Sequence, residues 1–231
     1  YNVAAENAEQ SVDKLAAVAA SSASDLQELA TGMSKVASAA NAMGVGEDQL
    51  AAQLSTIISV TRQAPESVGT ALKTIYARMT SIQAGTDEEG VSLGQYTEKM
   101  AQMGINVLDT NNKLRDMGDV IEEVGGKWGN MSREQQVALA QTMAGTRQYN
   151  NLIALFDNFD QYNEMVDVAA NSTGILEEQQ AIYLESITAK TEKLRTTFED
   201  LYDSLFDEDS IKDTLDAVTG LVQLVAELTD S

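Results

Sequence analysis

The spacing of apolar residues is the feature of this 231-residue chain that most limits how it can fold. Apolar side chains recur three and four positions apart over most of its length, which places them on one face of an α-helix. The first such face comprises Val12, Leu15, Ala16 and Ala19. One proline and 15 glycines supply too little turn chemistry for a large all-β protein. We therefore predict an all-α fold.

Capping residues, glycine and proline divide this pattern into successive helices. Ser24 followed by Gln27 has the spacing of a capping box, which predicts a helix start at Ser24. The glycines at 44–46 predict the end of that helix. Pro65 separates the next two helices, because proline suits a first helical turn but not a helix interior. The apolar faces of these three helices comprise Leu26, Leu29, Met33, Val36 and Ala40; Leu50, Leu54, Ile57, Ile58 and Thr61; and Val68, Leu72, Ile75, Met79 and Ile82. Consecutive helices of this kind predict a multi-helix bundle or stacked helical hairpins.

The middle of the chain combines further helices with a small β-hairpin, predicted near residues 105–115. Two short apolar runs flank Asn111 and Asn112 there, and asparagine tolerates the left-handed conformation of a tight turn. Asp116 or Asp119 is expected to begin the next helix. The apolar positions of the helices that follow comprise Ile121, Val124 and Trp128; Val137, Ala140 and Met143; Tyr149, Ile153 and Phe156; and Tyr162, Met165, Val166 and Ala169.

Two local signals refine the helices after the hairpin. Ser132 and Gln135 again have the spacing of a capping box, which predicts a helix start. Gly145 is predicted to break the helix that begins there, so that a second helix runs from Thr146 to Asn158.

The C-terminal part of the chain has heptad spacing. No glycine or proline occurs over residues 175–206, where core positions alternate by four and three residues. The apolar core positions define a candidate interaction seam, which comprises Leu176, Tyr183, Ile187, Leu194, Leu201 and Leu205. An acidic amphipathic helix follows, so this region predicts a long coiled-coil-like helix pair. Two interpretations of the seam stay open, which are association with another chain and cover by the last helix of the same chain.

These patterns predict four segments. Residues 1–84 form an N-terminal helical hairpin subdomain, and residues 85–94 form an acidic hinge that contains glycine. Residues 95–174 form a helical subdomain that includes the β-hairpin. Residues 175–231 form the long heptad helix and the acidic amphipathic helix. Because the chain begins at Tyr1 and not at Met, we interpret it as a fragment of a longer polypeptide.

Charge restricts the class of partner. The chain has 36 acidic and 15 basic residues, a net charge of −21. Nucleic-acid binding needs basic clusters that displace counterions, and docking on an anionic membrane surface needs them too, so neither is expected. The longest uncharged stretch, residues 49–61, has 13 residues, whereas a spanning helix needs about 20. We therefore predict no stable membrane span in this fragment.

The residues of common catalytic and metal sites are missing from the sequence. Without histidine or cysteine, the chain has no zinc finger, disulfide framework or His-activated nucleophile. Carboxylate pairs occur at 87–89, 122–123, 177–178 and 207–209, but a glycosidase needs two carboxyls about 5–10 Å apart in an aromatic-lined cleft. A calcium loop also needs a glycine, which residues 207–213 lack. We predict no catalytic, cofactor-binding or metal-binding residue, no cofactor and no enzyme activity.

Four sequence blocks resemble the core module of tail tape measure proteins from long-tailed bacteriophages and prophages. The first is SSASDLQELATGMSKVASAANAMGVGEDQLAAQLS, which starts at Ser21, and the second is GTALKTI, which starts at Gly69. INVLDTNNKLRDMGDVIEEV follows from Ile105, and AGTRQYNNLIALFDNFDQYNE follows from Ala144. The blocks occur in the order found in that family, and the resemblance covers roughly residues 4–205.

The resemblance implies a structural phage tail protein that scaffolds tail tube assembly and sets tail length. Such proteins are thought to thread the tube as an oligomeric helical rod and to leave ahead of DNA at genome ejection. The implied partners are other copies of itself, with a trimer as one arrangement in the tail, tail tube and tail-tip proteins, and tail assembly chaperones. The implied location is the virion tail, in the tube lumen or at the tip, after assembly in the bacterial host cytoplasm.

Two other functions stay open at this point. One is a cell-wall-degrading hydrolase module of a phage tail, which would require a buried carboxyl with a raised pKa. The other is a helical effector or adaptor unrelated to phage.

Overall fold

A computed structural model describes residues 8–84, 94–111 and 113–172, together with Thr196. The chain divides into two compact units, Tyr1–Ile175 and Leu176–Ser231, and every described residue except Thr196 belongs to the first. The α-helices described in that unit are α1 Ala8–Ser21, α2 Leu26–Ala42, α3 Glu47–Thr61, α4 Pro65–Ala84, α5 Gly94–Gln102, α6 Met117–Trp128, α7 Arg133–Asp157 and α8 Phe159–Ala170. The described residues contain no β-strand, and the predicted all-α fold class is confirmed.

Helix α3 is the centre of this unit. All nine residues from Leu50 to Ile58 are buried, although a surface helix would expose part of each turn. Helices α1, α2, α4, α7 and α8 all pack against it. The uncharged sequence of α3 after Asp48 is explained by this position, because a charged side chain in the buried part would have no face on which to reach water.

Helices α2 and α4 pack closely where two glycines meet. A Cβ atom on Gly69 would lie 2.3 Å from the carbonyl oxygen of Gly32, which is far inside van der Waals contact. A Cβ on Gly32 would lie 2.9 Å from a methyl group of Leu54 in α3. The absence of side chains at these two positions therefore fixes the approach of three helices.

The helix start predicted at Ser24 is wrong by one residue. Asp25 is the N-cap of α2, and its carboxylate accepts a 2.7 Å hydrogen bond from the backbone N–H of Glu28. The Glu28 carboxylate in turn accepts from the Asp25 N–H at 3.0 Å. Ser24 is instead buried, and Leu26, predicted on the apolar face, is 37% exposed because it is the first residue of the helix.

The segment predicted as a β-hairpin forms only one antiparallel bridge, between Leu108 and Leu114. The N–H of Arg115 donates to the Val107 carbonyl at 3.0 Å, and that of Asp109 donates to the Lys113 carbonyl at 2.7 Å. The region is a closed loop between α5 and α6 without strands.

The predicted break at Gly145 is confirmed. The capping box of Ser132 and Gln135 begins α7, as predicted. Gly145 then adopts φ 70° and ψ 174° inside α7, which interrupts the helix between residues 144 and 146.

The predicted hinge and the predicted subdomain boundaries stay predictions. Residues 85–93 of the hinge lie outside the described residues, as do 173–195 and 197–231. Within the described part, α3 from the first predicted segment packs against α8 from the third.

Candidate functional site

The acidic side chains that the structure describes make structural contacts. Among residues 8–84, 94–111 and 113–172, no three acidic groups are placed to hold a metal ion. The two residues of the acidic pair at 122–123 have different partners. Glu122 accepts a 2.8 Å hydrogen bond from Gln49, and Glu123 forms ion pairs with Arg115 and Lys127. The other three acidic groups singled out in the sequence lie outside the described residues.

Two of the sequence blocks meet at one junction. The turn between α2 and α3 contacts the start of α6, where the Met117 N–H donates to the Met43 carbonyl at 2.8 Å. The Gln49 side chain joins both elements, because its oxygen accepts from the Gly46 N–H at 3.0 Å while its nitrogen donates to Glu122. The α6 end of the junction is also tight, since a Cβ on Gly118 would lie 2.2 Å from the Gln49 oxygen.

Charged side chains fasten the loop between α5 and α6 to α6. The Glu123 carboxylate accepts from Arg115 at 2.5 Å and from Lys127 at 2.7 Å. Each cation also donates to a loop carbonyl, Arg115 to Asn106 at 2.6 Å and Lys127 to Gly104 at 2.5 Å. One carboxylate on α6 therefore orders two cations, and these cations hold both ends of the loop.

The pKa values of two carboxyls reflect this arrangement. Partial burial alone would raise the pKa of Glu123, but the hydrogen bonds and charges of Lys127 and Arg115 outweigh it and lower that pKa below its usual value. At the exposed loop tip, the backbone N–H of Lys113 donates to Asp109 and lowers the Asp109 pKa, with a further contribution from Asn111. Both carboxyls are held in the charged form that the loop geometry needs.

A second junction joins α4 to α7. Arg78 of α4 donates from Nε to the carbonyl oxygen of Thr142 in α7 at 3.2 Å. The guanidinium lies beside Gly145, since a Cβ on that glycine would be 3.7 Å from Arg78 Nη1. In an uninterrupted helix the Thr142 carbonyl would accept from the N–H of residue 146. Arg78 thus supplies a donor to this carbonyl at the point where α7 is broken.

Helix α7 is folded back on itself at this break. A straight helix of its 25 residues would be about 38 Å long. Its first and last residues nevertheless form an ion pair, with Arg133 Nη1 3.1 Å from Asp157 Oδ2. Trp128, just before α7, donates to the same carboxylate at 2.8 Å and lies 4.9 Å from the Phe156 ring. Residues 133–144 and 146–157 are therefore the two arms of a helical hairpin.

A buried polar group lies inside the core. Gln53 of α3 is fully buried and accepts a 2.5 Å hydrogen bond from the Tyr76 hydroxyl of α4. The buried Tyr162 hydroxyl of α8 lies near Gln53 but makes no well-formed hydrogen bond. Burial raises the pKa of Tyr162 above its usual value, and the charges of Glu122 and Asp48 raise it further. This group was not predicted, and its only signal in the sequence is a glutamine within the uncharged stretch of residues 49–61.

The predicted interaction seam lies outside the described residues. This applies to all six of its members, Leu176, Tyr183, Ile187, Leu194, Leu201 and Leu205. Thr196, between two of them, is helical and exposed.

Comparison with known proteins identifies the class to which this helical unit belongs. Residues 1–145 match the family described as phage-related minor tail protein, and the chain belongs to that family. Membership indicates a structural role in a phage tail, and it makes the tail of the virion the location of the protein.

A named relative narrows the resemblance to tape measure proteins, as predicted from the four sequence blocks. The chain is 19% identical over 228 residues to the tape measure protein of Pneumococcus phage Dp-1. The alignment covers 98% of this chain but only 19% of that relative, so the chain spans about a fifth of the length of the relative. No solved structure matches the chain. Among the described helices, none combines the length and the hydrophobicity that a membrane span requires.

Proposed function

We propose that this chain is a helical module of a tape measure protein, which scaffolds assembly of the tail tube and sets tail length. The observation that carries this proposal is the alignment with a named tape measure protein along 98% of the chain, within a family of minor tail proteins. The sequence blocks support it further, because in the structure the first and third of them meet at a junction that is built from packing contacts and hydrogen bonds.

We expect the module to act as a folded unit more than as an extended segment that measures tail length. A single straight helix of 231 residues would extend about 350 Å. The described residues instead form eight helices, with the buried α3 at their centre. We expect the module to act at the tail tip or in the tube lumen, and to contact tail tube or tail-tip proteins. We also expect tail assembly chaperones to hold it before assembly, with its net charge of −21 favouring solubility.

Self-association is proposed for the heptad seam. An apolar stripe of that length would be unfavourable in water unless another helix covered it. We propose that other copies of the chain cover Leu176, Leu194 and Leu201 in the tail, in a homo-oligomer such as a trimer.

Light scattering after size exclusion tests the seam. The wild-type chain is expected to elute as an oligomer at high concentration, and Leu194→Asp with Leu201→Asp is expected to shift it to a monomer. Thr196→Asp is the matched control, because this residue is helical and exposed. A wild-type chain that is strictly monomeric at high concentration would contradict self-association.

We further infer that the module has no enzymatic activity. The acidic pair Glu122 and Glu123 is held by glutamine, arginine and lysine partners, and this arrangement favours structural contacts over proton transfer. Purified chain is expected to leave peptidoglycan intact in a zymogram, whereas a cleared band would favour the hydrolase alternative.

The tail role itself is tested in the phage or prophage that encodes the chain. Deletion of residues 1–231 from the parent gene is expected to abolish assembly or the uniform length of tails, as seen by negative-stain microscopy. Particles with tails of unchanged length and full infectivity would overturn the proposal.

A further inference from the structure

The folded-back helix α7 has the construction of a hinge. Its arms, residues 133–144 and 146–157, are separated by Gly145 alone. The Arg133–Asp157 pair at its open end is exposed, with side-chain exposures of 57% and 39%, so it marks the closed geometry but contributes little to stability. Closure therefore depends on the hinge residue and on what the second arm packs against.

The conformation of Gly145 is one that other residues avoid. At φ 70° and ψ 174° it lies in a region occupied almost only by glycine. Any residue with a Cβ at this position would favour right-handed helix instead, and alanine would favour it most. The flanking sequence contains no proline, so nothing else in residues 133–157 prevents one continuous helix.

Opening of α7 would expose the surface of the second arm that is buried in the closed form. Leu152, Leu155 and Phe156 are buried in the closed form, and Asn151 accepts a 3.0 Å hydrogen bond from Gln63 in the turn before α4. Helix α8, which follows the second arm, packs against α3 and α1. An opened chain would expose these surfaces to water, so it is stable only when an equivalent surface covers them.

A second copy of this chain offers that equivalent surface. We propose that α7 opens at Gly145 into one continuous helix and that two opened copies pair by exchanging residues 146–172. In the exchanged pair, the second arm and α8 of each copy occupy the sites on α3, α6 and the Gln63 turn of the other copy. The contacts that the second arm and α8 make with the rest of the unit are then remade between chains. This inference concerns α7 and α8 and does not depend on the heptad seam.

Cross-linking distinguishes exchange from association through the seam. The chain has no cysteine, so Arg133→Cys with Asp157→Cys places a unique reactive pair at the open end of α7. With Gly145 present, a short bismaleimide should link the pair within one chain, which runs as a monomer on a denaturing gel. An oligomer formed through the seam leaves that result unchanged, because the two cysteines still meet within each chain.

Adding Gly145→Ala is expected to make the covalent dimer the main product. Far-UV ellipticity and Trp128 emission should match those of the double-cysteine chain that retains Gly145, because the Trp128–Phe156 contact is remade by the second chain. Gly126→Ala is the matched control, since this α6 glycine has no atom within 4 Å of an added Cβ, and it should give monomer only. Folded Gly145→Ala chains that link only within themselves would overturn the proposal.

A second measurement decides the case in which Gly145→Ala fails to fold. The double-cysteine chain with Gly145 intact is refolded from denaturant at low and high concentration and then linked. Covalent dimer that increases with concentration supports exchange, whereas cross-linked monomer at every concentration contradicts it. Single-cysteine chains measure the background from random collision.

Discussion

At the scale of single residues, one missing methyl group sets the spacing of α2 and α4. We expect Gly69→Ala to lower the free energy of unfolding by about 1–3 kcal/mol, because its Cβ would lie 2.3 Å from the Gly32 carbonyl oxygen and force the helices apart. Urea unfolding followed by the fluorescence of Trp128, the single tryptophan, measures the change.

Gly126→Ala is the control for this substitution. Gly126 lies in α6, and an added Cβ would have no atom within 4 Å. Alanine is expected to raise stability by up to about 1 kcal/mol there, since glycine is the poorer helix former. Equal stabilities of Gly69→Ala and the wild type would contradict the close contact.

The two tyrosines beside Gln53 form a matched pair, since the same oxygen is removed from each. Tyr76→Phe leaves the buried Gln53 carbonyl without its donor and should cost about 1–3 kcal/mol in urea unfolding. Tyr162→Phe removes a hydroxyl that makes no well-formed hydrogen bond, so its effect should be near zero. A larger loss for Tyr162→Phe than for Tyr76→Phe would contradict the observed pairing.

The raised pKa of Tyr162 also predicts a loss of stability at alkaline pH. Its pKa is raised in the folded chain above the ordinary value of 10.0, so the native state holds this proton more tightly than the unfolded state does. The stabilising contribution is complete below pH 10 and is lost as the pH rises through the folded pKa. Urea unfolding between pH 7 and 11 should show this decline, and Tyr162→Phe should make the decline smaller.

At the scale of elements, the start signals were the most predictable feature. Ser132 and Gln135 begin α7 as expected. At α2, two overlapping capping boxes fit the sequence, Ser24 with Gln27 and Asp25 with Glu28, and the structure uses the second. The local sequence pattern does not distinguish the two capping boxes, because the choice of N-cap depends on the burial of Ser24 in the folded unit.

The loop between α5 and α6 should depend on Glu123. Glu123→Gln keeps the size of the side chain but removes the charge that holds Arg115 and Lys127. We expect faster hydrogen exchange at the loop amides of residues 109–115. Glu98→Gln, at an exposed position of α5, is the control and should leave these amides unchanged.

Acid should loosen the same loop. The pKa of Glu123 in the folded chain is lowered below its ordinary value of 4.5, so its contribution is complete above that pH and is lost as the pH falls through the folded pKa. Wild-type loop exchange measured from pH 6 downwards, after correction for intrinsic rates, should approach that of Glu123→Gln. A constant difference between them would contradict this role.

The reversal of α7 could be predicted only in part from the local sequence pattern. The break at Gly145 could be predicted, because glycine readily adopts the left-handed conformation at which helices end. The fold-back could not, because it follows from contacts between residues far apart, such as Arg133 with Asp157 and Arg78 with Thr142. The candidate junctions share this limit, since each joins residues that lie far apart in the sequence.

At the scale of the whole molecule, the two units predict a truncation. Residues 1–175 contain the described core and should fold alone, with helical far-UV dichroism and the native emission of Trp128. If the seam mediates association, this shortened chain should also be monomeric in light scattering at concentrations where the complete chain is not. An unfolded 1–175 chain would show that residues 176–231 are needed for the fold.

The buried position of α3 has a consequence for how the protein is made. Residues 50–58 are buried in part by α8, which lies about 100 residues later in the chain. At about 5–20 residues per second, a ribosome needs roughly 5–20 s to deliver that last helix. During this interval the apolar surface of the nascent α3 segment is exposed to the host cytosol. The phage therefore has reason to supply a protein that covers this surface while translation is still under way.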